Sequence, residues 1–533
     1  MSERDSSGTG PVDIPFTPEF PPGVGRAHPV HPSDTLVMDC NVRVPMRDGG
    51  WIAADVYRPR AQIRHPVLLV ASGYPKKLDH LPSNPAYRFR ETSDFEWWVA
   101  HGYAIVRTDA RGTGESTDGQ WDFFGPGEQR DLYDSIEWAA AQSWTNGRVG
   151  MMGQSYFAQV QWLAAVNRPP SLACIAPYDG LVDIYRDLAW HGGMFSQDFV
   201  ANWGARQVHL NNLPFEPAVP GNVMRFDVTG ELIRHRLDGP FYRARSAFWR
   251  LDQIAVPVYS IGAWEKVRLH TRGNVLGYER ISHVPRKLLM LGGDAQATFH
   301  TESLMRELER WYARWLKGAD NGIEREPPVR IYVQGKNASF RDENEWPIAR
   351  TRVTELYLRP DGLGPEQPAS EHTRSLEYPR NDFLGDMGAV VFETAPLDAD
   401  IEVTGPIKLV LFVSSDQPEA DIAVTLADKS DPGSIVVTRG WQKASHRVLE
   451  PSLSALLRPF HPHQSEEPLV PGEVYEVEIE IWPTSWRFAR GNCIALSIAN
   501  GDRTHFYGFK AGRDSYHFGG RFPSRLLLPV IPA

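Results

Sequence analysis

Gly150-Met151-Met152-Gly153-Gln154-Ser155-Tyr156-Phe157-Ala158 is the stretch on which the fold turns. An apolar run ends in Gly-x-Ser and passes straight into a helical pattern. This is how a tight strand-to-helix turn lifts a serine hydroxyl to a helix N-terminus. Such a turn needs small residues near the serine, and the helix dipole behind it favours negative charge developing on a substrate. In the usual Gly-x-Ser-x-Gly pattern the last glycine would fall on Phe157, and the small residue comes one place later, at Ala158. A serine before a helix also reads as an ordinary N-cap. The strand before it and the alternating elements around it favour the elbow.

Outward from Ser155, short apolar runs read as buried strands: Pro66–Ala71, Tyr103–Val106, Arg148–Met152, Val256–Ile261 and Leu288–Leu291. Helical patterns alternate with them, over Asp131–Gln142, after Ser155 and over Glu302–Lys317. Strands interleaved with helices predict a parallel sheet covered on both faces. Residues 183–248 are rich in Trp, Phe, His, Asn and Pro without strand alternation, which predicts a mostly helical cap over the sheet. From residue 326 onward, alternating segments such as Ile401–Val413, Ile422–Leu426, Val474–Ile481 and Cys493–Ile498 are separated by turn residues. They predict an antiparallel β-sandwich. The expected organisation is a flexible leader over 1–36, an α/β domain over 37–182 and 249–325, a cap over 183–248 and a β-sandwich over 326–533.

The 533 residues carry a formal net charge of −10, and 42% are hydrophobic. A net acidic surface argues against nucleic acid or anionic membrane as partner and for a small-molecule substrate. Cys40, Cys174 and Cys493 are far apart, with neither disulfide nor zinc spacing. No signal peptide and no apolar run of membrane-spanning length is visible, so a cytoplasmic location is expected.

Several longer motifs carry a resemblance: His101–Gly119 (HGYAIVRTDARGTGESTDG), Trp138–Trp162, Trp315–Gly335, Arg439–Arg447 (RGWQKASHR) and Ile481-Trp482-Pro483-Thr484-Ser485. Together they resemble the cocaine esterase and Xaa-Pro dipeptidyl-peptidase (CocE/NonD) family, over about residues 37 to 530. The resemblance implies an α/β-hydrolase fold with a helical cap insertion and a C-terminal jelly-roll β-sandwich. It implies Ser155 as nucleophile, with the Tyr74 hydroxyl and the Tyr156 backbone N–H as oxyanion donors. A homodimer is compatible with this fold, and no cofactor or metal is implied.

The remaining triad positions depart from the family. Its acid follows Trp by two residues, where this chain has Lys266 in Gly262-Ala263-Trp264-Glu265-Lys266. Its histidine ends a Gly-Pro-Trp-x-His segment, where this chain has Gln296 in Gly292-Gly293-Asp294-Ala295-Gln296. A serine hydroxyl without a positioned base loses orders of magnitude in rate. Three residues are candidates for the missing base. His270, in Leu269-His270-Thr271-Arg272-Gly273, matches a branch of the family with this segment and would be oriented by Glu265 or Asp294. His300 lies just past the lost histidine. Lys266 would form a Ser–Lys pair if desolvated.

Other polar clusters have structural readings. Asp109-Ala110-Arg111-Gly112-Thr113-Gly114 is a loop signature beside the site. Asp131, Asp134 and Glu137 read as the solvated face of a helix. Trp190, His191, Phe195, Phe199 and Trp203 read as cap packing that partly lines a pocket, and His461-Pro462-His463 as a structural segment. The expected function is serine-dependent acyl transfer, as hydrolase, acyltransferase or cyclase, on an ester, thioester or amide of a partly apolar small molecule. The alternatives are a repurposed hydrolase fold doing non-covalent acid/base chemistry, and a catalytically dead binding homologue.

Overall fold

The computed structural model describes residues 33–61, 63–76, 91–209, 226–293, 298, 301–378, 388–431, 433–502 and 511–532. The leader expected over 1–36 lies mostly outside them. The chain enters with the antiparallel pair β1 (Leu36–Pro45) and β2 (Trp51–Pro59). Next come β3 (His65–Ser72), β4 (Ala104–Asp109), β5 (Thr145–Gln154) and β6 (Leu172–Tyr178). Every residue of β3 and β4 is buried. Strands covered on both faces read as continuous apolar runs, which is why these segments were legible.

The sheet order is β1-β2-β4-β3-β5-β6, continued by Val258–Ala263, Arg286–Leu291 and Val329–Gly335. From β4 onward these neighbours are parallel, and Ser339–Glu343 closes the edge in antiparallel register. The order reverses between β4, β3 and β5. Ligands of open α/β sheets bind beyond the carboxyl ends of the strands at such a point, and Ser155 follows β5. Val329–Gly335 pairs with Leu288–Met290 of the hydrolase sheet as well as with Trp486 and Arg487 of the sandwich. One strand therefore bridges the two units, and the texture change expected at 326 precedes the last strands of the α/β sheet.

Helices α1 (Phe95–Ala100), α2 (Pro126–Ala140) and α3 (Tyr156–Val166) cover the sheet. All eleven residues of α3 are buried, two of them glutamines. The expected solvated face of α2 is corrected. Asp131 is 7% exposed and sits 2.7 Å from Arg111. Asp134 pairs with Arg47 at 2.6 Å, and Glu137 accepts from the Ser171 amide and hydroxyl, each at 2.9 Å. These carboxylates are held by groups that arrive from distant loops, which helix periodicity alone does not show.

In the C-terminal unit, Ile401–Ser415 pairs antiparallel with Tyr475–Phe488, Gly512–Phe518 and Arg525–Ile531. Asp421–Lys429 lies between Ser434–Lys443 and Cys493–Ala499. Inward residues such as Leu409, Leu411, Val424, Leu426, Ile479 and Leu496 fill the core between the layers, the period-2 pattern of a sandwich.

The cap is stitched to this sandwich. Arg186 lies 2.8 Å from Asp183 and 3.0 Å from Asp238, and donates to the His461 carbonyl at 2.8 Å. Met194 of the cap packs with Ala423, Trp441 and Trp482. His461 and His463 are buried in this seam, where the His463 and His446 Nδ1 atoms stand 2.9 Å apart. Among the described residues no cluster of His, Cys, Asp or Glu could hold a metal ion, and no helix is long and apolar enough to cross a membrane.

Candidate active site

Ser155 separates β5 from α3 with φ 61° and ψ −116°, a backbone conformation that is costly for a residue with a Cβ. Its side chain makes no capping hydrogen bond to α3, so the plain N-cap reading fails on geometry. The turn is held by the Ser155 N–H donating to the Tyr178 carbonyl at 2.9 Å and the Gln154 N–H donating to the Glu91 carbonyl at 2.8 Å. Gly153, at φ 131°, is required: a Cβ there would lie 2.4 Å from the Phe157 Cβ. Phe157 stands at the motif's missing glycine because Gly153 leaves it room.

Ser155, Tyr74, Tyr156 and His270 line one cleft. Phe124, Leu181, Leu188, Phe199, Trp203 and Leu269 give it apolar walls, and Gln159 adds the sole side-chain amide among its described lining residues. None of those lining residues is charged. The space left among the described lining residues is about 20 Å³, little more than a water molecule needs.

Tyr74 follows β3 and is 2% exposed. Its hydroxyl accepts a hydrogen bond from the Trp203 indole at 2.6 Å, and its ring lies 5.3 Å from that of Tyr156. The Tyr156 N–H is the first of α3 and has no acceptor within the helix. The Tyr156 side chain is tied down separately: its hydroxyl donates to both Glu128 carboxyl oxygens, at 2.7 and 2.9 Å. Glu128 also accepts from the Phe124 N–H at 2.7 Å, and burial pushes its carboxyl up to about 7.

His270 is the N-cap of the helix Thr271–Glu279, and 4% of it is exposed. Gly273 brings this helix against the loop after β6, since a Cβ there would lie 2.5 Å from the Leu181 Cα. Arg272 fixes it further through Asp187 at 2.7 Å and Glu480 at 3.0 Å. The His270 Nδ1 is buried without a hydrogen-bond partner among the described residues. Burial, and secondarily the charge of Lys266, hold the imidazole well below its ordinary pKa, so it is neutral at pH 7.

Lys266 and Glu265 face elsewhere. They line a separate depression of about 450 Å³ that shares Phe199, Trp203 and Leu269 with the Ser155 cleft as a common wall. Asp294, Gln296 and His300 lie outside the described residues.

Residues 48–294 match the X-Pro dipeptidyl-peptidase (S15) family, and residues 321–523 match the X-Pro dipeptidyl-peptidase C-terminal non-catalytic domain. Cocaine esterase from Rhodococcus sp. is 26% identical, over 92% of this chain and 98% of that protein. The crystal structure of a CocE/NonD family hydrolase from Staphylococcus aureus superposes with a TM-score of 0.84 at 26% identity, over 93% of this chain and 94% of that one. The chain belongs to the CocE/NonD family of α/β-hydrolases. An α-amino acid ester hydrolase shares the fold, with a TM-score of 0.71 at 17% identity over 96% of this chain and all of that one.

This CocE/NonD protein is thus a serine enzyme of the α/β-hydrolase type. Of the five cap residues singled out in the sequence, only Phe199 and Trp203 line the cleft. Trp190 donates to the Leu232 carbonyl and the Tyr242 hydroxyl, Phe195 packs on Trp190, and His191 packs against Trp441. Asp109 accepts from the Lys76 and Glu115 amides at 2.5 and 2.8 Å, which fits the structural reading of its loop. Sequence reasoning missed Glu128 and Gln159. An acid just inside a helix that starts with Pro126, and a glutamine one turn past the elbow serine, were the available signals.

Proposed function

We propose that this enzyme hydrolyses carboxylic esters or amides of partly apolar small molecules through an acyl-enzyme on Ser155, with His270 as general base. The supporting observation is the shared cleft, which sets a strained, non-capping serine beside a buried neutral histidine, the Tyr74 hydroxyl and the first N–H of α3. A neutral imidazole can take the Ser155 proton as the hydroxyl oxygen attacks the carbonyl carbon. The Tyr74 O–H and Tyr156 N–H then donate to the oxyanion. Collapse expels the alcohol or amine with the proton from His270, and water repeats the sequence to free the acid. The cocaine esterase and peptidase relatives support an ester or amide carbonyl as the bond attacked.

One observation favours a second reading, non-covalent acid/base chemistry on the same scaffold. The charge of Lys266 opposes formation of the imidazolium that a covalent route requires. Treatment with a fluorophosphonate, read by intact mass and peptide mapping, decides between the two. The expected result is an adduct on Ser155, absent from Ser155→Ala, with hydrolysis of 4-nitrophenyl esters lost in the same variant. No adduct in folded protein, with catalysis surviving in Ser155→Ala, would establish the second reading.

A further inference from the structure

Helix α3 carries two buried glutamines two residues apart, with opposite fates. Gln161 is fully buried and satisfied: its Nε2 donates to the Gly153 and Phe157 carbonyls at 3.2 and 3.1 Å, and its Oε1 accepts from the Ala176 N–H at 3.0 Å. Gln159 is 1% exposed, and neither its Nε2 nor its Oε1 has a hydrogen-bond partner among the described residues. Burying both ends of an amide unpaired is costly, and native structures contain few such groups.

The position of Gln159 indicates what would pair with it. It lies four residues after Ser155, on the same helix face, and helical side chains lean toward the N-terminus. Its amide is therefore aimed at the nucleophile's end of the cleft, whose wall it lines beside Ser155 and His270. Apart from the Ser155 hydroxyl and the His270 imidazole, the rest of that wall is apolar or already hydrogen-bonded, and no described lining residue is charged. A purely aliphatic acyl group would leave the Gln159 amide dry and unpaired. A free α-ammonium group would enter without a counter-charge, which is costlier still. A neutral amide in the substrate offers an N–H to Oε1 and a carbonyl to Nε2 without adding charge.

We propose that Gln159 is a specificity-determining residue, and that it selects acyl donors carrying a neutral amide beside the scissile carbonyl, as in N-acylated amino acid esters and amides. This rests on Ser155 acting as the nucleophile. Two uncharged hydrogen bonds correspond to roughly 5- to 100-fold in kcat/KM.

The test compares three 4-nitrophenyl esters of equal chain length: N-acetylglycinate, with both amide groups; 4-oxopentanoate, with the carbonyl alone; and pentanoate, with neither. Each kcat/KM is divided by that ester's rate with hydroxide, to remove intrinsic reactivity. The expected order is N-acetylglycinate, then 4-oxopentanoate, then pentanoate, with the first-to-last ratio roughly 5- to 100-fold. In Gln159→Leu the ratio falls to near one. Gln159→Met repeats the measurement if the leucine variant does not fold, as judged by circular dichroism.

Equal turnover of the three esters by the native enzyme, or an unchanged ratio in the variant, overturns the inference while leaving Ser155 as nucleophile. Fluorophosphonate labelling without turnover of N-acetylglycinate overturns it as well. Neither labelling nor turnover of any ester removes the serine reading, and this inference with it.

Discussion

The indole N–H of Trp203 donates to the hydroxyl oxygen of Tyr74 at 2.6 Å, across 129 positions of sequence, and both side chains line the cleft over Ser155. The Tyr74 oxygen is thus engaged as acceptor by a cap residue. This bond ties the cap to the hydroxyl that the proposed mechanism uses as an oxyanion donor.

Tyr74→Phe is expected to lower kcat by roughly 10²- to 10³-fold, the usual cost of losing one oxyanion donor. Trp203→Phe leaves the hydroxyl in place but unguided and should cost less. The double variant should be no slower than Tyr74→Phe, because the two groups act as one unit. Additive losses in steady-state kinetics would mean that Trp203 acts by another route.

Replacing His270 with Ala should lower kcat/KM by roughly 10²- to 10⁴-fold with the circular dichroism spectrum unchanged. The active form of the proposed base is the neutral imidazole, so rate should fall as pH drops through its pKa. That pKa lies well below the ordinary value because of burial first and Lys266 second. Lys266→Met removes the second cause, and the acidic limb of the pH–rate profile should move to higher pH. A limb that stays in place would show that Lys266 does not reach the base.

Glu128 supplies a pH-dependent stability. Desolvation raises its carboxyl from an ordinary 4.5 to about 7 in the folded chain, against the lowering effect of its bonds from Tyr156, Phe124 and Trp121. Folding thus favours the protonated form. Its stabilising contribution is complete below about 4.5 and is lost as pH rises through about 7. Glu128→Gln has no such dependence. Between pH 5 and pH 8 the unfolding free energy of the native protein should fall relative to the variant by on the order of 1–3 kcal/mol, measured by urea denaturation.

Arg186 is the ionic centre of the seam between cap and sandwich, with Asp183, Asp238 and the His461 carbonyl around its guanidinium. Arg186→Met strands two buried carboxylates and should destabilise the protein by about 3–5 kcal/mol. A midpoint in urea within error of the native value would show that the seam does not need this charge.

The local elements were legible because their causes are local. Continuous apolar runs marked strands buried on both faces, and period-2 alternation marked the sandwich. The Gly153 and Ala158 pattern around Ser155 marked the elbow even with Phe157 in place of a glycine. The solvated face expected for Asp131, Asp134 and Glu137 failed because Arg111, Arg47 and Ser171, which hold those acids, come from distant segments.

Sequence by itself determined the architecture and the place of the elbow serine in it, since periodicity, turn chemistry and the elbow depend on residues within a few positions of one another. Tertiary structure alone decided which polar groups share the cleft. His270 reaches it because Gly273 lets its helix close on Leu181, whereas Lys266, four positions earlier, falls on the far side of the wall formed by Phe199, Trp203 and Leu269. The contrast between Gln159 and Gln161 has the same origin. A helix turns 100° per residue, so two identical side chains two places apart meet different neighbours: strand β6 and the helix backbone for one, the cleft beside Ser155 for the other.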